Sequence, residues 1–299
     1  MEAIAPLSIV IPTYRRGPVL VQTVEYLLEQ QPRAAQILLL DQTELHAHAD
    51  ESRLQAMAAR GLIDWIRLEQ PSIPRAMNAG LMRATSDLVL FLDDDIRPDP
   101  ELVLAHWRAH QRLTGLTLVA GRVLQPWHEG VDQSGGTDFH FASEQPRWIG
   151  EFMGGNFSMR REHAVALGGF DENFVRVAYR FEAEFAHRFL ASGGRIHFEP
   201  GACLHHLKAG DGGTRTYGEH LTTWRPDHAV GAYYYGLRTG HFAEFFSRPW
   251  KSVATRHHLR HPWQIPRTLL AEIRGMVWAW SLFLRGPALV PLPPRNERR

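Results

Sequence analysis

The stretch Leu88-Val89-Leu90-Phe91-Leu92-Asp93-Asp94-Asp95 places five apolar residues directly before three aspartates. A short apolar run with an abrupt polar end is typical of a strand buried on both faces. Three adjacent carboxylates repel one another unless a cation lies between them, and Mg²⁺ and Mn²⁺ prefer carboxylate oxygens. The stretch therefore predicts a divalent-metal site at the end of a buried strand. The alternative is a solvated acidic turn in front of the next helix.

Two earlier apolar runs have the same form. Residues 7–12 are rich in β-branched side chains and end at Pro12, and residues 37–40 lead into Asp41. Apolar residues recur at helical spacing over segments 19–29, 53–60, 73–84 and 100–112. Such alternation indicates an α/β fold with a mostly parallel, Rossmann-like sheet flanked by helices. The polar residues that end the strands should meet at one ligand-binding edge.

The charge of the chain is uneven along its 299 residues. The formal net charge is only +1, which gives no indication of a nucleic-acid partner. Residues 248–299 contain ten basic and two acidic side chains, so this segment carries +8 and residues 1–247 carry −7. We therefore expect a globular domain over 1–247 and a basic tail over 248–299.

The tail contains an amphipathic helical pattern. Its apolar positions at helical spacing are Leu269, Leu270, Ile273, Met276, Val277, Trp280 and Leu284. Arg267, Arg274 and Arg285 flank this pattern, which predicts an interfacial helix over 265–290 on an anionic membrane. The alternative is a helix that packs on the domain. No run reaches the ~20 apolar residues that a spanning helix needs.

The cysteine content and the N-terminal residues bear on the compartment. Cys203 is the only cysteine, so no disulfide forms within the chain, and a reducing compartment is expected. The first residues lack the charged and apolar regions of a secretory signal. We therefore expect a cytoplasmic protein with a peripheral position at the inner face of the membrane.

Four motifs in order resemble the family 2 glycosyltransferases, which have the GT-A fold. They are Ser8-Ile9-Val10-Ile11-Pro12-Thr13-Tyr14-Arg15-Arg16, Phe91-Leu92-Asp93-Asp94-Asp95, Met153-Gly154-Gly155-Asn156-Phe157-Ser158-Met159-Arg160-Arg161 and Gly168-Gly169-Phe170-Asp171-Glu172. The aspartate motif among them resembles the family's Asp-x-Asp motif. The resemblance implies a nucleotide-sugar half over about 1–120 and an acceptor half over about 121–247.

The resemblance also implies a reaction. Family 2 enzymes of this type transfer a sugar, with inversion, from a nucleotide-diphosphate donor to a hydroxyl group. The resemblance favours a UDP-sugar as the donor and implies a glycan or a glycolipid as the acceptor. A bound Mn²⁺ or Mg²⁺ is implied as the cofactor.

The resemblance implies donor-binding roles at matching positions. The implied donor residues are Pro12, Thr13, Tyr14, Asp41, Arg75, Asn78, Asp93, Asp94 and Arg215. Thr13, Tyr14 and Asp41 would border the base, and Asp93 would lie near the ribose. Arg215 follows a glycine-rich loop and is suited to pairing with phosphate oxygens. The sequence Asp41-Gln42-Thr43-Glu44 departs from the family's usual pattern, which leaves the identity of the base open.

The metal and the general base are assigned in the same way. Asp95 and Asp93 would hold the metal, and His206, at the end of a late strand, would complete its ligands, with His205 as the alternative. By the same resemblance Glu182 occupies the position of the family's general base, and a carboxylate beside the acceptor suits an inverting transfer. Glu184 is the alternative base or its partner.

Two other functions fit some of these features. A sugar-nucleotide nucleotidyltransferase would need a glycine-rich phosphate loop after the first strand, and residues 13–16 do not supply one. A catalytically degenerate GT-A protein, acting as a carbohydrate-binding or scaffold protein, is suggested by Phe181, which replaces the first acid of the family's usual pair. The presence of Asp93, Asp95 and Glu182 together favours the enzyme.

Overall fold

The computed structural model describes residues 3–128 and 139–291. The first half alternates strands and helices: β1 (Ile4–Thr13), α1 (Pro18–Leu28), β2 (Arg33–Asp41), α2 (His48–Ala59), β3 (Asp64–Arg67), α3 (Ile73–Arg83), β4 (Leu88–Leu92), β5 (Ile96–Pro98), α4 (Leu102–Arg112) and β6 (Thr117–Leu124). The second half contains β7 (Arg147–Ile149), β8 (Asn156–Arg160), α5 (Arg161–Ala166), α6 (Phe181–Ala191), β9 (Arg195–His206), α7 (Ala229–Thr239), α8 (Phe242–Val253), α9 (Arg256–Arg260) and α10 (Ile265–Arg285).

The strands form one mixed sheet in the described part of the chain. Its order is β3-β2-β1-β4-β8-β6-β9-β5, and β7 pairs with β9 beside this path. Strand β1 is parallel to β2 and β4, β2 to β3, and β6 to β9, whereas β8 runs antiparallel to β4 and β6. The predicted α/β class is confirmed. Because β1 and β4 are parallel, Thr13 and Asp93 emerge at the same edge of the sheet.

Side chains from the central strands fill two cores, one on each face of the sheet. Successive side chains of a strand point to opposite faces. Val10 and Phe91 therefore pack in one core, with helices α3 and α6, whereas Ile9 and Leu90 pack in the other, with α1. Burial on both faces explains why β1 and β4 are almost continuously apolar.

The tail helix α10 packs on α7. One face of α10 buries Ala271, Gly275 and Ala279. A Cβ atom on Gly275 would lie 2.6 Å from the Cβ of Ala229, so glycine permits the close approach of the two helices. The predicted alternative, a helix packed on the domain, therefore describes this face.

The predicted boundary of the tail at residue 247 lies within α8. The division of the chain into a catalytic domain and a tail stays a prediction, and residues 292–299 of the tail lie outside the described residues. None of the helices in the described part of the chain combines the length and the apolar character that a bilayer-spanning segment needs. The membrane contact predicted for 265–290 also stays a prediction.

Candidate active site

A cavity of about 600 Å³ opens at the carboxyl ends of β1 and β4. Nine residues predicted for the site line it: Pro12, Thr13, Tyr14, Asp93, Asp94, Asp95, Glu182, His206 and Arg215. Ligands bind beyond the carboxyl ends of the strands in open α/β sheets, so this position is the expected one. Asp41, Arg75, Asn78 and Glu184 are outside the cavity wall.

Asp93, Asp95 and His206 form a cluster of potential metal ligands. One side-chain atom from each lies within 4.8 Å of the corresponding atoms of the other two. The pairing of β5 with β9 brings His206 there, because Ile96 lies opposite His206 in the register. The backbone N–H of Leu207 also donates to the carbonyl of Asp95 at 2.8 Å. The predicted choice of His206 over His205 agrees with this geometry.

The chemistry of the cluster fits a divalent cation. Asp95 Oδ1 is buried and accepts no hydrogen bond among the described residues, although it lies 3.1 Å from His206 Nε2. His206 Nδ1 lies 3.0 Å from Gln125 Oε1. A proton on Nδ1 would donate to this amide oxygen and leave the lone pair of Nε2 facing the aspartates, an arrangement common for metal-binding histidines. Oxygen and imidazole ligands suit Mn²⁺ and Mg²⁺.

Arg16 lies among the aspartates, and the sequence patterns gave it no role. Its Nε donates to Asp94 Oδ1 at 2.9 Å, and its Nη2 lies 3.3 Å from Asp95 Oδ2. Burial raises the pKa of Asp94 to about 6, and the charge of Arg16 opposes that rise. Burial would also raise the pKa of Asp95, but His206 and Arg16 hold it below its ordinary value. Asp94 therefore anchors Arg16, and Asp95 stays ionised to face the cavity.

Gly155 approaches the carboxylate of Asp93 so closely that no side chain fits. A Cβ atom at this position would lie 2.0 Å from Asp93 Oδ2. We therefore expect Gly155→Ala to displace this carboxylate and to weaken Mn²⁺ binding by about 10- to 100-fold. Isothermal titration with Mn²⁺ and UDP measures the change. Gly150→Ala is the matched control, because a Cβ atom on Gly150 would have no atom within 4 Å. Equal affinity in the two variants would contradict the prediction.

Glu182 lies in the first turn of α6 and faces the aspartates across the cavity. A Cβ atom on Gly154 would lie 3.2 Å from Glu182 Oε1, so glycine leaves room for this carboxylate. Burial raises its pKa to about 7, and the negative charge of Asp93 adds to the rise. A carboxylate with a pKa near neutrality is suited to general base catalysis.

The loop before Glu182 has a strained backbone. Arg176, Ala178 and Arg180 have φ values of 62°, 54° and 74°, in the left-handed region that side chains other than glycine rarely adopt. All three residues line the cavity. Strain of this kind collects at functional sites, where the surrounding structure maintains it. Sequence patterns did not reveal this loop, because no glycine marks its turns.

Glu184 does not reach the cavity. It is buried, and both of its carboxylate oxygens accept from Arg188, at distances from 2.9 to 3.0 Å. Arg188 also donates to the carbonyls of Leu167 and Gly169, at 2.7 and 2.9 Å. The Glu184–Arg188 pair therefore connects α6 to the start of the Gly-Gly-Phe-Asp-Glu segment. These contacts favour a structural role for Glu184, and its place as the alternative base stays a prediction.

We expect Glu184→Gln to lower stability and to leave the pH profile of turnover unchanged. The variant weakens a part-buried ion pair, which should cost about 2 kcal/mol of the free energy of unfolding. Urea denaturation measures this loss, with Glu162→Gln on the exposed surface of α5 as the matched control. A Glu184→Gln variant that folds as well as the control but turns over no donor would refute this structural role.

Asp41 is also bound within the protein. Its Oδ2 lies 2.6 Å from His46 Nε2, accepts from Trp65 Nε1 at 2.8 Å and lies 3.3 Å from Arg67 Nη1. This carboxylate is fully buried and ties the end of β2 to β3. These contacts favour a structural role for Asp41, and its predicted contact with the donor base stays a prediction. Its neighbour Gln42 lines the cavity instead.

Arg75 and Asn78 hold the Gly-Gly-Phe-Asp-Glu segment to α3. The amide of Asn78 exchanges two hydrogen bonds of 2.8 Å with the backbone of Phe170. Arg75 Nε donates to Glu172 Oε2 at 3.2 Å, and its Nη1 donates to Gln70 at 2.7 Å. These partners lie outside the cavity and favour a structural role for both residues, and the predicted donor contacts of Arg75 and Asn78 stay predictions.

A glycine-rich loop closes one side of the cavity. The N–H of Gly213 donates to the carbonyl of Tyr14 at 2.8 Å. Gly212 has a φ of +78°, and a Cβ there would lie 2.3 Å from the carbonyl oxygen of Arg15. This packing brings Arg215 to the cavity wall, together with Lys208, whose role the sequence patterns did not indicate.

The fold resembles those of solved nucleotide-sugar enzymes. GalNAc-T7, solved with UDP, GalNAc and Mn²⁺, has a TM-score of 0.60 and 14% identity, over 97% of this chain and 59% of that chain. A mannosyltransferase from Pyrobaculum calidifontis, solved with GDP-Man and Mn²⁺, has a TM-score of 0.55 and 19% identity, over 94% of this chain and 79% of that chain. S. aureus TarS, solved with UDP-GlcNAc, has a TM-score of 0.60 and 13% identity, over 90% of this chain and 81% of that chain.

These similarities define the class as the GT-A fold of glycosyltransferases, and the predicted fold is confirmed. The sequence model of the family described as "Glycosyl transferase family 2" matches residues 8–168, more than half of the chain. The protein therefore belongs to glycosyl transferase family 2, as its motifs predicted. The chain spans 59% of the length of the GalNAc-T7 chain. A search among curated proteins finds no significant match.

Proposed function

We propose that this protein is an inverting, metal-dependent glycosyltransferase that moves a sugar from a UDP-sugar to a hydroxyl of a glycan or glycolipid. The observation that carries the proposal is one cavity that joins the Asp93, Asp95 and His206 cluster to the carboxylate of Glu182. A donor diphosphate needs a cation and an acceptor hydroxyl needs a base, and this cavity contains groups suited to both.

Asp93, Asp95 and His206 would hold Mn²⁺ or Mg²⁺. A bound divalent ion would neutralise the negative charge that develops on the departing diphosphate. The Mn²⁺ in the structures of GalNAc-T7 and the Pyrobaculum mannosyltransferase supports this assignment. Arg215 and Lys208 in the cavity wall would add positive charge beside the phosphates.

Glu182 would act as the general base. It would accept the proton of the acceptor hydroxyl while that oxygen forms a bond to the anomeric carbon. The bond from the anomeric carbon to the diphosphate breaks on the opposite side, so the product has the inverted configuration. Transfer in a single displacement needs no covalent intermediate with the protein.

Thr13 and Tyr14 line the end of the cavity that β1 forms, and we assign them to the donor base. GalNAc-T7 and TarS were solved with UDP or a UDP-sugar, whereas the mannosyltransferase was solved with GDP-Man. Two of these three structures favour uridine, and uridine is our choice for this chain.

A thermal-shift screen of nucleotide sugars with Mn²⁺ tests the donor, because a ligand that binds only the folded state raises the melting temperature. We expect UDP-sugars to stabilise the protein and to be turned over, with release of UDP and an inverted anomeric centre in the NMR spectrum of the product. Release of pyrophosphate would instead identify a nucleotidyltransferase. Binding without any turnover, with water or with hydroxyl acceptors, would identify a degenerate binding protein.

A further inference from the structure

Helix α10 has a second apolar face that nothing in the described structure covers. Leu270, Ile273, Val277, Trp280 and Leu284 follow one another at intervals of three and four residues, so they form one stripe along the helix. Their exposure ranges from 42% to 71%. The buried residues Ala271, Gly275 and Ala279 lie on the opposite side, against α7. We call the exposed set the α10 stripe.

A row of arginines borders the α10 stripe. Arg267, Arg274 and Arg285 are exposed and are separated by seven and eleven residues, close to two and three helical turns of ~3.6 residues. They therefore project along one line beside the stripe. Glu272 is the only acidic residue between positions 248 and 291, and it is buried where it accepts from Arg248 Nε at 3.0 Å. Within residues 248–291 the exposed charged side chains are therefore all basic.

Helix α8 has an exposed apolar row of its own. Phe242, Phe246 and Trp250 follow at intervals of four residues, and each is more than half exposed. Lys251, at the end of this row, is also exposed. Aromatic side chains and long basic side chains are typical of helices that lie at the boundary between water and lipid.

We propose that the α10 stripe docks on the surface of an anionic lipid bilayer. An exposed apolar stripe of this length on a folded protein marks an interaction surface. An interfacial helix inserts its apolar face below the headgroups while basic side chains at its border contact acidic lipids. The arrangement of the stripe and its arginine row meets both requirements.

Charge also argues against a second copy of the chain as the occupant. A two-fold contact through the α10 stripe would bring two identical arginine rows together. This segment offers no exposed acid to pair with them, so like charges would oppose the contact. A bilayer with acidic headgroups provides the complementary charge.

Helix α8, which is joined to α10 by the Arg248–Glu272 pair, also contacts one wall of the catalytic cavity. Arg180 in the strained loop lies 3.5 Å from Glu244 of α8. The guanidinium of Arg248 lies 5.8 Å from the ring centre of Tyr179. Docking would thus fix this wall relative to the lipid surface. If the proposed function holds, that position suits an acceptor carried by a membrane lipid.

Flotation of the whole protein with vesicles tests the apolar part of the proposal. We expect binding to vesicles of phosphatidylcholine with about 30% phosphatidylglycerol, and an about tenfold or greater loss in the double variant Ile273→Gln/Val277→Gln. Leu45→Gln is the matched control, because Leu45 is 83% exposed outside the tail. Equal binding by the double variant and the control would overturn the proposal.

A double variant that removes two arginines of the row tests the contribution of the basic border. Arg267→Gln/Arg285→Gln should weaken binding to the anionic vesicles by about 30-fold, because each basic residue near such a surface contributes on the order of 1 kcal/mol. The control is Arg60→Gln/Arg108→Gln, which removes two exposed arginines outside the tail. Arg60 follows the end of α2, and Arg108 lies in α4. The same loss in both double variants would overturn a specific role for the arginine row.

Two further measurements separate the remaining outcomes. Light scattering that finds a dimer in wild type and a monomer in Ile273→Gln/Val277→Gln would assign the stripe to a second copy and overturn the proposal. Vesicle binding is measured without donor or metal, and donor hydrolysis in solution is followed separately in the same variants. Loss of turnover with intact vesicle binding would count against the proposed function alone.

Discussion

Asp95→Asn is expected to abolish Mn²⁺ binding at the cavity and to lower donor turnover on the order of a thousandfold. The substitution keeps the size of the side chain but removes the negative charge that faces His206 and Asp93. Isothermal titration of Mn²⁺ with UDP measures the binding, and release of UDP measures the turnover. Because the first readout needs no acceptor, it is independent of the identity of that substrate.

Asp99→Asn is the control for this variant. Asp99 lies four positions further along the chain and is outside the cavity wall, with His205 Nε2 at 3.4 Å. The Asp99→Asn variant should bind Mn²⁺ and turn over the donor as the wild-type protein does. Normal Mn²⁺ binding by Asp95→Asn would exclude Asp95 as a ligand. A change of 1 kcal/mol in stability shifts the melting temperature of a domain of this size by ~2–4 °C. A melting temperature of Asp95→Asn within that range of wild type shows that this variant is folded.

Glu182→Gln is expected to lower kcat by about 10²- to 10⁴-fold while the affinity for the donor stays near the wild-type value. Glutamine has the shape of the glutamate but cannot accept the proton of the acceptor hydroxyl. Rapid-quench measurement of kcat and titration of the donor separate the two quantities. A variant with full transfer activity would remove Glu182 from the mechanism.

The pH profile gives another test of Glu182. Its pKa is raised to about 7, so below pH 7 the carboxyl is mostly protonated and cannot act as a base. We expect kcat to fall about tenfold per unit below this pKa and to level off above about pH 8. A bound Mn²⁺ near Asp93 would shift this fall in kcat to lower pH, because a nearby positive charge favours the ionised carboxylate of Glu182. Glu182→Asp should keep a pH limb at a lower rate, whereas Glu182→Gln should lose it.

The strands and the aspartates of the metal cluster were predictable because their signals are local, whereas His206 came from the resemblance to the family. Burial on both faces gives a strand an unbroken apolar sequence, and the sharp change from Leu92 to Asp93 marks the end of the strand at the edge of the sheet where the cavity opens. The same reasoning identified β1 up to Thr13. The order of the four motifs then predicted the family, and the family model over residues 8–168 confirms it.

The partners of Asp41, Asn78 and Glu184 were not predictable in this way. Each is a polar side chain at a position that the resemblance associated with the site or its border. Each is buried, and burial requires its hydrogen bonds to be satisfied within the protein. Which distant groups satisfy them depends on the packed chain, so a sequence pattern does not distinguish a ligand contact from a structural one.

The sequence by itself determined the strand ends and the run of three aspartates, because periodic burial and abrupt changes of polarity are written into neighbouring residues. The role of Glu182 came from the resemblance to the family and stays a prediction. The tertiary structure alone decided that Arg16 pairs with Asp94 and Asp95 and that Gln125 orients His206. These contacts join residues that are far apart in the chain. Strand pairing and the packing of loops decide which of them meet, and no local pattern encodes that choice.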